Sequence, residues 1–350
     1  KRQISFAAPM AWRLIPKPMP ANGDIPDPLA LATAVGKGER AALASALNLL
    51  DDKRKASRAC AATFLSRLQA ADSGAQSRLI GITGPPGAGK SSLTAALISV
   101  WRQRGLRVGV LAVDPSSPIS GGALLGDRLR MKTSSDDDGV FVRSLACRGQ
   151  FGGLSAEVWP MSLVMLAAFD ITLIETVGVG QREIDISRMC DTTCYVAQPG
   201  SGDSVQFLKA GILEVPHILV VNKEDMGAVA RRTLSELGAA MSREHSDGQW
   251  QVPVLSASAT RGTGIEALAD AMEQHHELLQ AQNLLATRRQ QYQAEWILKQ
   301  LREEFGSFGV QRLGGEQHIA GQLQTQQLGL IEQYQRLRQT FYSHYDGTID

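Results

Sequence analysis

The stretch 84–91, which reads GPPGAGKS, decides the fold of this chain. It fits G-x-x-x-x-G-K-[ST], a pattern in which glycines let backbone N–H groups face a phosphate without obstruction from a Cβ. The run Arg78–Thr83 before it predicts a strand, and 91–103 after it predicts a helix whose positive end points at the same anion. The sequence therefore predicts a phosphate-binding loop. Its residues are Gly84, Pro85, Pro86, Gly87, Ala88, Gly89, Lys90, Ser91 and Ser92.

Two side chains at the end of this loop suit a nucleoside triphosphate. We expect Lys90 to reach the β- and γ-phosphates and the Ser91 hydroxyl to bind Mg²⁺. The alternative is a chance match in a glycine-rich turn. The strand predicted before the loop and the helix predicted after it argue against that alternative.

Apolar runs of strand length alternate with helical patterns after the loop. Continuous apolar runs are typical of strands buried on both faces, hence of a mainly parallel sheet covered by helices. We predict strands at 107–113, 141–143, 171–174, 194–197, 217–221 and 252–255. The predicted fold class is therefore α/β, with a Rossmann-like sheet flanked by helices.

Helical patterns flank this region at both ends. An apolar face at 43–50 predicts an N-terminal helical element, and 265–305 predicts one or two helices. Glycines interrupt the pattern at 306–321, and it resumes at 322–345. An apolar stripe in this part suits either self-association or core packing; it consists of Trp296, Leu298, Leu301 and Phe305. We predict a Pro-rich arm at 1–28, a helical extension at 29–76, a nucleotide-binding domain at 77–277 and a C-terminal helical arm at 278–350.

A second motif is predicted to select the base. Residues 222–225 read NKED and fit N-K-x-D, with Asn222 directly after a predicted strand. The Asp225 carboxylate can accept hydrogen bonds from the N1–H and exocyclic amine of guanine, which adenine cannot donate. Lys223 is expected to lie along the base, and Ser256 and Ala257 resemble the loop whose backbone N–H meets guanine O6. Because these elements follow the phosphate loop in order, the sequence favours GTP or GDP over adenine nucleotides.

Carboxylates follow two other predicted strands. Glu175 precedes Gly178 in the pattern acid-x-x-Gly, which predicts that Glu175 reaches Mg²⁺ and that the Gly178 N–H reaches the γ-phosphate. Asp114 ends the run 107–113, and Asp127 lies in the loop after it. Such carboxylates serve Mg²⁺ or position water, while a turn or cap is the alternative for both aspartates. The predicted Mg²⁺ ligands are Ser91, Asp114, Asp127 and Glu175.

Hydrolysis needs a group that positions water. Residue 179 is Val, so the glutamine that small GTPases use directly after this glycine is missing from that position. Gln181, Gln206 and Lys209 are the candidate replacements, and slow hydrolysis that waits for a partner is expected. The predicted catalytic residues are Lys90, Asp114, Glu175, Gln206 and Lys209.

Four stretches together resemble one family. They are DPSSP at 114–118, GGALLGDRLRM at 121–131, ETVGVGQ at 175–181 and NKED at 222–225. They are similar to the metallochaperone GTPases that serve adenosylcobalamin-dependent acyl-CoA mutases. That family includes the bacterial MeaB proteins, the human methylmalonic aciduria type A protein and the ArgK-type proteins.

The resemblance implies a GTPase core with an N-terminal helical extension and a C-terminal dimerisation arm, hence a homodimer. It implies a cobalamin-dependent mutase as partner, whose adenosylcobalamin loading is gated and which is protected or reactivated with GTP hydrolysis. It places Asp114, Asp127 and Glu175 around Mg²⁺ and two switches, and Gln206 and Lys209 in a third switch. The third switch reads GDSVQFLKAGI at 202–212, where the family usually resembles GDELQGIKKGI. This departure bears on which mutase is the partner.

Composition argues against other function classes. The 36 basic and 35 acidic residues are balanced, unlike the charge of a dedicated nucleic-acid binder. The apolar runs are far shorter than the ~20 residues of a membrane helix. The four scattered cysteines form no C-x-x-C pair, which is typical of reduced thiols in a cytosol-like compartment. We predict a cytoplasmic location, or the mitochondrial matrix if the basic N-terminus is a transit-peptide remnant.

Two alternative functions share the phosphate loop. Nickel-insertion GTPases of the hydrogenase or urease type carry Cys/His metal motifs, whereas Cys190 and Cys194 are interpreted here as buried structural thiols. His275 and His276 lie on a polar helical stretch and are predicted to be solvated rather than metal-bound. A small-molecule kinase is disfavoured because N-K-x-D and the switch loops select a guanine nucleotide instead of building a pocket for a phosphate acceptor.

Overall fold

The structure is a computed structural model, and it describes residues 25–71, 76–114, 137–146, 156–176, 186–200, 216–244, 250–325 and 329–345. Within these ranges the chain folds around one seven-stranded parallel sheet that is covered by helices. The predicted α/β class is therefore confirmed. No helix of the described ranges combines the length and the apolar character needed to cross a membrane.

The sheet has the strand order β3-β2-β4-β1-β5-β6-β7, and every neighbouring pair is parallel. Its strands are β1 (Arg78–Thr83), β2 (Val108–Asp114), β3 (Val140–Ala146), β4 (Ile171–Thr176), β5 (Thr192–Ala197), β6 (Ile218–Val221) and β7 (Val254–Ser256). Each predicted apolar run is one of these strands. Strand β1 lies between β4 and β5, so the loop that follows it emerges near the middle of one sheet edge.

The helices before and between the strands are α1 (Pro28–Gly36), α2 (Arg40–Asp51), α3 (Lys55–Ala70), α4 (Lys90–Gln103), α5 (Val158–Ala168) and α6 (Ala228–Glu244). Those after the last strand are α7 (Ile265–Ala281), α8 (Leu284–Arg312), α9 (Glu316–Thr325) and α10 (Leu330–Tyr345). A 3₁₀ turn, Glu224–Met226, follows β6.

Helices cover both faces of the sheet, and alternate residues of β1 face different cores. Ile80 joins a core with α4 and α7, whereas Leu79 joins a core with α1–α3, α5 and α8–α10. This alternation follows from the period of two residues in a strand. Helices from the two ends of the chain thus share one hydrophobic core, and the domain boundaries given above stay a prediction.

The C-terminal region differs from its prediction in one respect. The expected interruption at 306–321 is limited to two breaks: Gly306, at φ 67°, is a non-helical kink within α8, and residues 313–315 separate α8 from α9. Asn283, at φ 56°, separates α7 from α8, so the stretch before Gly306 is two helices. Leu301 is buried in the core, and the rest of the predicted apolar stripe packs partly against it.

Candidate functional site

The carboxyl ends of the parallel strands gather the sequence motifs at one edge of the sheet. The loop 84–89 follows β1, Glu175 lies near the end of the adjacent β4, and Asn222 follows β6. Ligands of open parallel sheets bind at this edge, where the strand order reverses direction. The site is built from this edge.

Two glycines let the loop after β1 approach its neighbours. Gly84 has φ 142°, and a Cβ there would lie 2.3 Å from the Val196 carbonyl oxygen of β5. Gly89 has φ 85°, and a Cβ there would lie 2.5 Å from Nδ2 of Asn222. Both conformations and both distances exclude a larger residue. The loop is therefore held close to β5 and to the N-K-x-D segment.

Lys90 begins α4 and directs its ammonium group into the loop. Its side chain is buried, and Nζ donates to the carbonyl oxygens of Gly84 at 2.7 Å and Pro85 at 3.0 Å. The amino end of this 14-residue helix, which begins directly after Gly89, points its partial positive charge at the loop. The ammonium and the helix end together form an electropositive cradle that suits a phosphate.

Ser91 and Glu175 bring two buried oxygens together beside this cradle. Ser91 Oγ donates to Glu175 Oε1 at 2.6 Å, and Glu175 is only 2% exposed. Glu175 is therefore not a solvated carboxylate at the end of its strand. A hydroxyl and a carboxylate are the hard oxygen ligands that suit Mg²⁺. Within the described residues no group of three or more His, Cys, Asp or Glu side chains could hold a metal.

Asn222 and Lys223 tie the base motif to the phosphate loop. Asn222 Nδ2 donates to the carbonyl oxygens of Ala88 at 2.9 Å and Gly89 at 3.3 Å. Lys223 adopts a left-handed conformation, with φ 62°, and its Nζ donates to the Gly87 carbonyl at 2.6 Å. Left-handed backbone at a non-glycine residue costs free energy and is concentrated at functional sites. The phosphate loop and the N-K-x-D segment therefore form one hydrogen-bonded unit.

Asp225 is held by a residue that the motif does not contain. Ser258 Oγ donates to Asp225 Oδ1 at 2.6 Å, and this hydrogen bond is the main reason that the pKa of the exposed Asp225 carboxyl lies below its usual value. Ser258 itself is fully buried. Its hydroxyl also accepts from the Arg261 N–H at 3.3 Å. Ser258 therefore fixes a carboxylate that solvent would otherwise leave mobile.

The structure corrects the position of the predicted guanine-O6 contact. Ser256 is the last residue of β7, in register with Val221, and the N–H of buried Ala257 donates to the Val221 carbonyl at 2.9 Å. The Ala257 N–H is therefore used within the sheet. The next residues, Ser258 and Ala259, form the loop, and the Ala259 N–H lies 3.3 Å from Asn222 Oδ1. Because 256–259 reads SASA, the sequence left two registers for one dipeptide.

The described residues include only part of the predicted set. Lys90, Ser91, Glu175 and the N-K-x-D side chains meet at the carboxyl edge as described above. Asp114 ends β2 in register with Ala146, and only this backbone position is described. The remaining predictions lie outside the described residues; they are Asp127, Gly178, Gln181, Gln206 and Lys209.

The thiols and histidines lie away from this edge. Cys190 and Cys194 are buried, and burial raises the pKa of both thiols, which agrees with structural roles. The prediction that His275 and His276 are solvated is wrong, since they are 1% and 2% exposed. Burial lowers the pKa of His275 to about 2 and that of His276 to about 4. His275 Nδ1 lies 2.8 Å from the Thr192 hydroxyl, at the amino end of β5.

Comparison with known proteins places this site in a family. The family model for the methylmalonyl-CoA mutase-associated GTPase MeaB matches residues 43–310. The chain belongs to the MeaB family. The family is one of P-loop GTPases, so the chain is a guanine-nucleotide-binding GTPase, as the motifs predict.

Its relatives come from archaea, bacteria and a mammal. A Pyrococcus abyssi protein described only as a candidate GTPase is 42% identical over 258 residues, covering 72% of this chain and 77% of the relative. The Escherichia coli GTPase ArgK is 36% identical over 274 residues, covering 77% and 82%. The mouse methylmalonic aciduria type A homolog, a mitochondrial protein, is 35% identical over 286 residues, covering 78% and 69%.

One solved structure extends the likeness over almost the whole chain. A crystal structure of a LAO/AO transport system kinase is 26% identical, with a TM-score of 0.66, and the match covers 90% of this chain and 97% of the other. The shared architecture therefore extends beyond the parallel sheet. The family's GTPase identity, and not the kinase name of this neighbour, agrees with the N-K-x-D geometry.

Proposed function

We propose that this MeaB-family GTPase binds and hydrolyses Mg-GTP at the carboxyl edge of its sheet and thereby controls cofactor loading of an adenosylcobalamin-dependent acyl-CoA mutase. The observation that carries the proposal is the bonded unit formed by the phosphate loop, Asn222 and Lys223. It joins a phosphate cradle to a purine-selective carboxylate in one rigid arrangement. The mutase role is supported by the family's description and by the relationship to the mouse protein.

The phosphate end of the site binds the nucleotide by an exchange of hydrogen-bond acceptors. Lys90 Nζ transfers its hydrogen bonds from the two loop carbonyls to the more basic phosphate oxygens, since charge-assisted hydrogen bonds are the stronger ones. The first N–H groups of α4 bind the same phosphates. Ser91 and Glu175 would hold Mg²⁺, which neutralises developing negative charge on the transferred phosphoryl group.

The base end selects guanine by donor and acceptor pattern. Ionised Asp225, fixed by Ser258, accepts from N1–H and the exocyclic amine of guanine. In this proposal the Ala259 N–H exchanges its hydrogen bond to Asn222 Oδ1 for one to guanine O6, in place of Ser256 and Ala257. Adenine offers the reverse pattern at these positions and leaves the carboxylate without donors, which costs affinity.

The proposed function also includes a nucleotide-dependent switch and self-association into a homodimer. Glu175 stands at the start of the segment that contains Gly178, so loss of the γ-phosphate would release that segment. Asp114, Asp127, Gln206 and Lys209 keep the roles that the family resemblance implies, and hydrolysis is slow until the mutase binds. Aromatic exposure on the C-terminal helices supports a homodimer, since Phe308 is 64% exposed and Tyr342 is 48% exposed.

The proposal is tested by GTP turnover of the purified protein, alone and with candidate cobalamin-dependent mutases. ATP is the control nucleotide, and Lys90→Ala is the control for contaminating hydrolases. Slow turnover of GTP alone that one mutase accelerates supports the whole proposal. Turnover of GTP without response to any mutase contradicts the partner and leaves the GTPase. Equal turnover of ATP contradicts the assignment of the base site.

A further inference from the structure

Two buried threonine side chains meet at the carboxyl edge, each next in sequence to a group of the nucleotide site. Thr83 is the last residue of β1 and directly precedes Gly84 of the phosphate loop. Thr176 is the last residue of β4 and directly follows Glu175. Thr176 Oγ1 donates a hydrogen bond to Thr83 Oγ1 at 3.2 Å, and each threonine is only 1% exposed. The pair therefore links the strand that carries the phosphate loop to the strand that carries Glu175.

This hydrogen bond lies where the two strands stop pairing through their backbones. The pairing of β1 with β4 ends at Ile82, which is in register with Glu175. One residue further, Thr83 is in register with β5 and Thr176 is in register with β2, on the outer side of each strand. The bond between the two hydroxyls is thus the next link between β1 and β4 after their backbone pairing ends.

The end of β4 is held on both faces of the sheet. Successive side chains of a strand point to opposite faces, so Glu175 and Thr176 leave β4 on different sides. Glu175 accepts a hydrogen bond from Ser91 of α4 at 2.6 Å, whereas Thr176 bonds Thr83 on the opposite face. Ser91 and Thr83 both belong to the continuous segment that runs from β1 through the phosphate loop into α4. The two hydrogen bonds together fix the Glu175 carboxylate relative to Ser91.

Another threonine of β4 shows that burial alone does not produce such a bond. Thr172 precedes Thr176 by four residues, so its side chain points to the same face of the sheet. Thr172 is fully buried, yet its hydroxyl has no hydrogen-bond partner in the part of the chain that the structure describes. The same holds for the buried hydroxyl of Thr193 on β5. The hydroxyl pair instead occurs at the end of the strand, beside Glu175.

We propose that Thr83 and Thr176 are a positioning pair for GTP hydrolysis, whose hydrogen bond keeps the Glu175 carboxylate and the Ser91 hydroxyl in place as ligands of Mg²⁺. This positioning role rests on the proposed function, in which these two oxygens hold the metal. Groups that orient metal ligands without touching the metal commonly govern its affinity. Neither threonine contacts the nucleotide in this arrangement. Loss of their bond therefore weakens metal binding and leaves metal-free nucleotide binding intact.

The test measures the affinity of the protein for a fluorescent, non-hydrolysable GTP analogue, once with Mg²⁺ and once with EDTA. The ratio of the two affinities is the gain in nucleotide affinity that Mg²⁺ provides, and it does not depend on turnover. We expect Thr176→Val to reduce this gain about three- to tenfold, the worth of one hydrogen bond, while the affinity in EDTA stays the same. Thr176→Ser keeps a hydroxyl and should keep the gain of the parent protein.

Three further variants separate the positioning pair from the fold. Thr172→Val removes a buried hydroxyl that has no partner in the described residues, from the same face of β4, and should leave the gain unchanged. Thr83→Val should match Thr176→Val, and it carries the same test if Thr176→Val does not fold. The double variant should lose no more than either single variant, because both substitutions remove the same hydrogen bond.

The outcomes distinguish the positioning pair from the metal site. An unchanged gain in Thr83→Val and Thr176→Val, or an equal loss in Thr172→Val, overturns the positioning pair and leaves the proposed Mg²⁺ ligands in place. Losses that multiply in the double variant also overturn it, since the two hydroxyls would then act separately. A parent protein whose nucleotide affinity gains nothing from Mg²⁺ overturns the proposed metal site, and the positioning pair with it.

Discussion

At the carboxyl edge of the sheet the buried Lys90 ammonium donates hydrogen bonds to backbone carbonyls. At the amino edge the Arg289 guanidinium forms an ion pair with a buried carboxylate. Lys90 bonds the carbonyls of Gly84 and Pro85. Arg289, on α8, donates to both oxygens of Asp191 at 3.1 and 2.6 Å, and Asp191 is 1% exposed. The Lys90 ammonium is thus hydrogen-bonded to loop carbonyls at one edge of the sheet, and the Arg289 guanidinium forms an ion pair with Asp191 at the other.

This difference in partners indicates that the carboxyl edge binds a ligand and that the amino edge stabilises the fold. Asp191 also accepts the Leu79 N–H of β1 at 3.0 Å, so α8 and the strand before the phosphate loop share one carboxylate. Every partner there is internal, and removing one leaves the others uncompensated. At the carboxyl edge a phosphate oxygen is a stronger hydrogen-bond acceptor for Lys90 than the loop carbonyls are. Substitutions at the amino edge should therefore cost stability, and those at the carboxyl edge should cost activity.

The largest effect is expected from Asp191→Ala. The substitution removes the carboxylate from the partly buried Arg289 guanidinium and the acceptor from the buried Leu79 N–H, and should lower the free energy of unfolding by about 3–5 kcal/mol in urea denaturation. Glu316→Ala, which removes an exposed ion pair with Arg302, is the matched control and should cost less than about 1 kcal/mol. Equal losses for the two variants would remove the distinction between the edges.

Lys90→Ala should have the next largest effect, and it should appear in GTP turnover more than in stability. GTP turnover should fall by about 10²–10³-fold, because the cation that faces the transferred phosphoryl group is lost. The free energy of unfolding should fall less than in Asp191→Ala, because the carbonyls of Gly84 and Pro85 that Lys90 bonds are neutral acceptors. Lys55→Ala, at the first residue of α3, is the control and should leave turnover unchanged. A stability loss as large as that of Asp191→Ala would contradict this account.

Acid should destabilise the amino edge before it affects the carboxyl edge. Burial lowers the pKa of His217 and His276 to about 4, so these rings stay neutral in the folded protein while the unfolded chain binds protons below about pH 6.5. His217 Nδ1 accepts the Thr193 N–H at 3.0 Å, a bond that protonation would break. Stability is full above about pH 6.5 and falls toward pH 4, by about 1.4 kcal/mol per pH unit for each histidine.

Urea denaturation between pH 7 and pH 5 measures this slope. Replacing His276 by Gln should flatten it, because one proton uptake by the unfolded chain is removed. A slope that is the same in the variant and in the parent would show that other groups govern acid unfolding.

The smallest effect is expected from Ser258→Ala. Losing the hydroxyl that fixes Asp225 should weaken GTP binding by about three- to tenfold, the worth of one hydrogen bond to a charged group, in a fluorescent-nucleotide titration. Thr260→Ala is the control, because its hydroxyl lies 3.1 Å from Ser258 Oγ but does not contact Asp225 in the structure. If both variants bind GTP alike, Ser258 is not the residue that positions the carboxylate.

How much the sequence could predict follows the same division. The phosphate loop and N-K-x-D are contiguous, so their backbone geometry is encoded locally and was found from spacing. The guanine loop was misplaced because SASA offers two equal registers, and only the pairing of Ser256 with Val221 in the sheet distinguishes them.

The amino edge could not be predicted in this way. His275 and His276 stand among polar neighbours on α7, and they are buried because residues distant in sequence pack against them: His217, for example, stacks on His275 at 4.3 Å between ring centroids. Asp191 follows a helical turn with no motif around it, and its partner Arg289 lies almost a hundred residues away. Burial that depends on non-local packing leaves no local pattern to read.

The nucleotide preferences of the parent protein and of Asp225→Asn test directly whether the carboxyl edge is a guanine-nucleotide site. Xanthine carries a carbonyl where guanine carries its exocyclic amine, so an asparagine amide that donates should accept xanthosine triphosphate in place of GTP. We expect the parent to bind GTP at least about tenfold more tightly than xanthosine triphosphate, and the variant to reverse this order. Equal loss of both nucleotides in the variant, or a parent without preference, would contradict the assignment of the carboxyl edge as a guanine-nucleotide site.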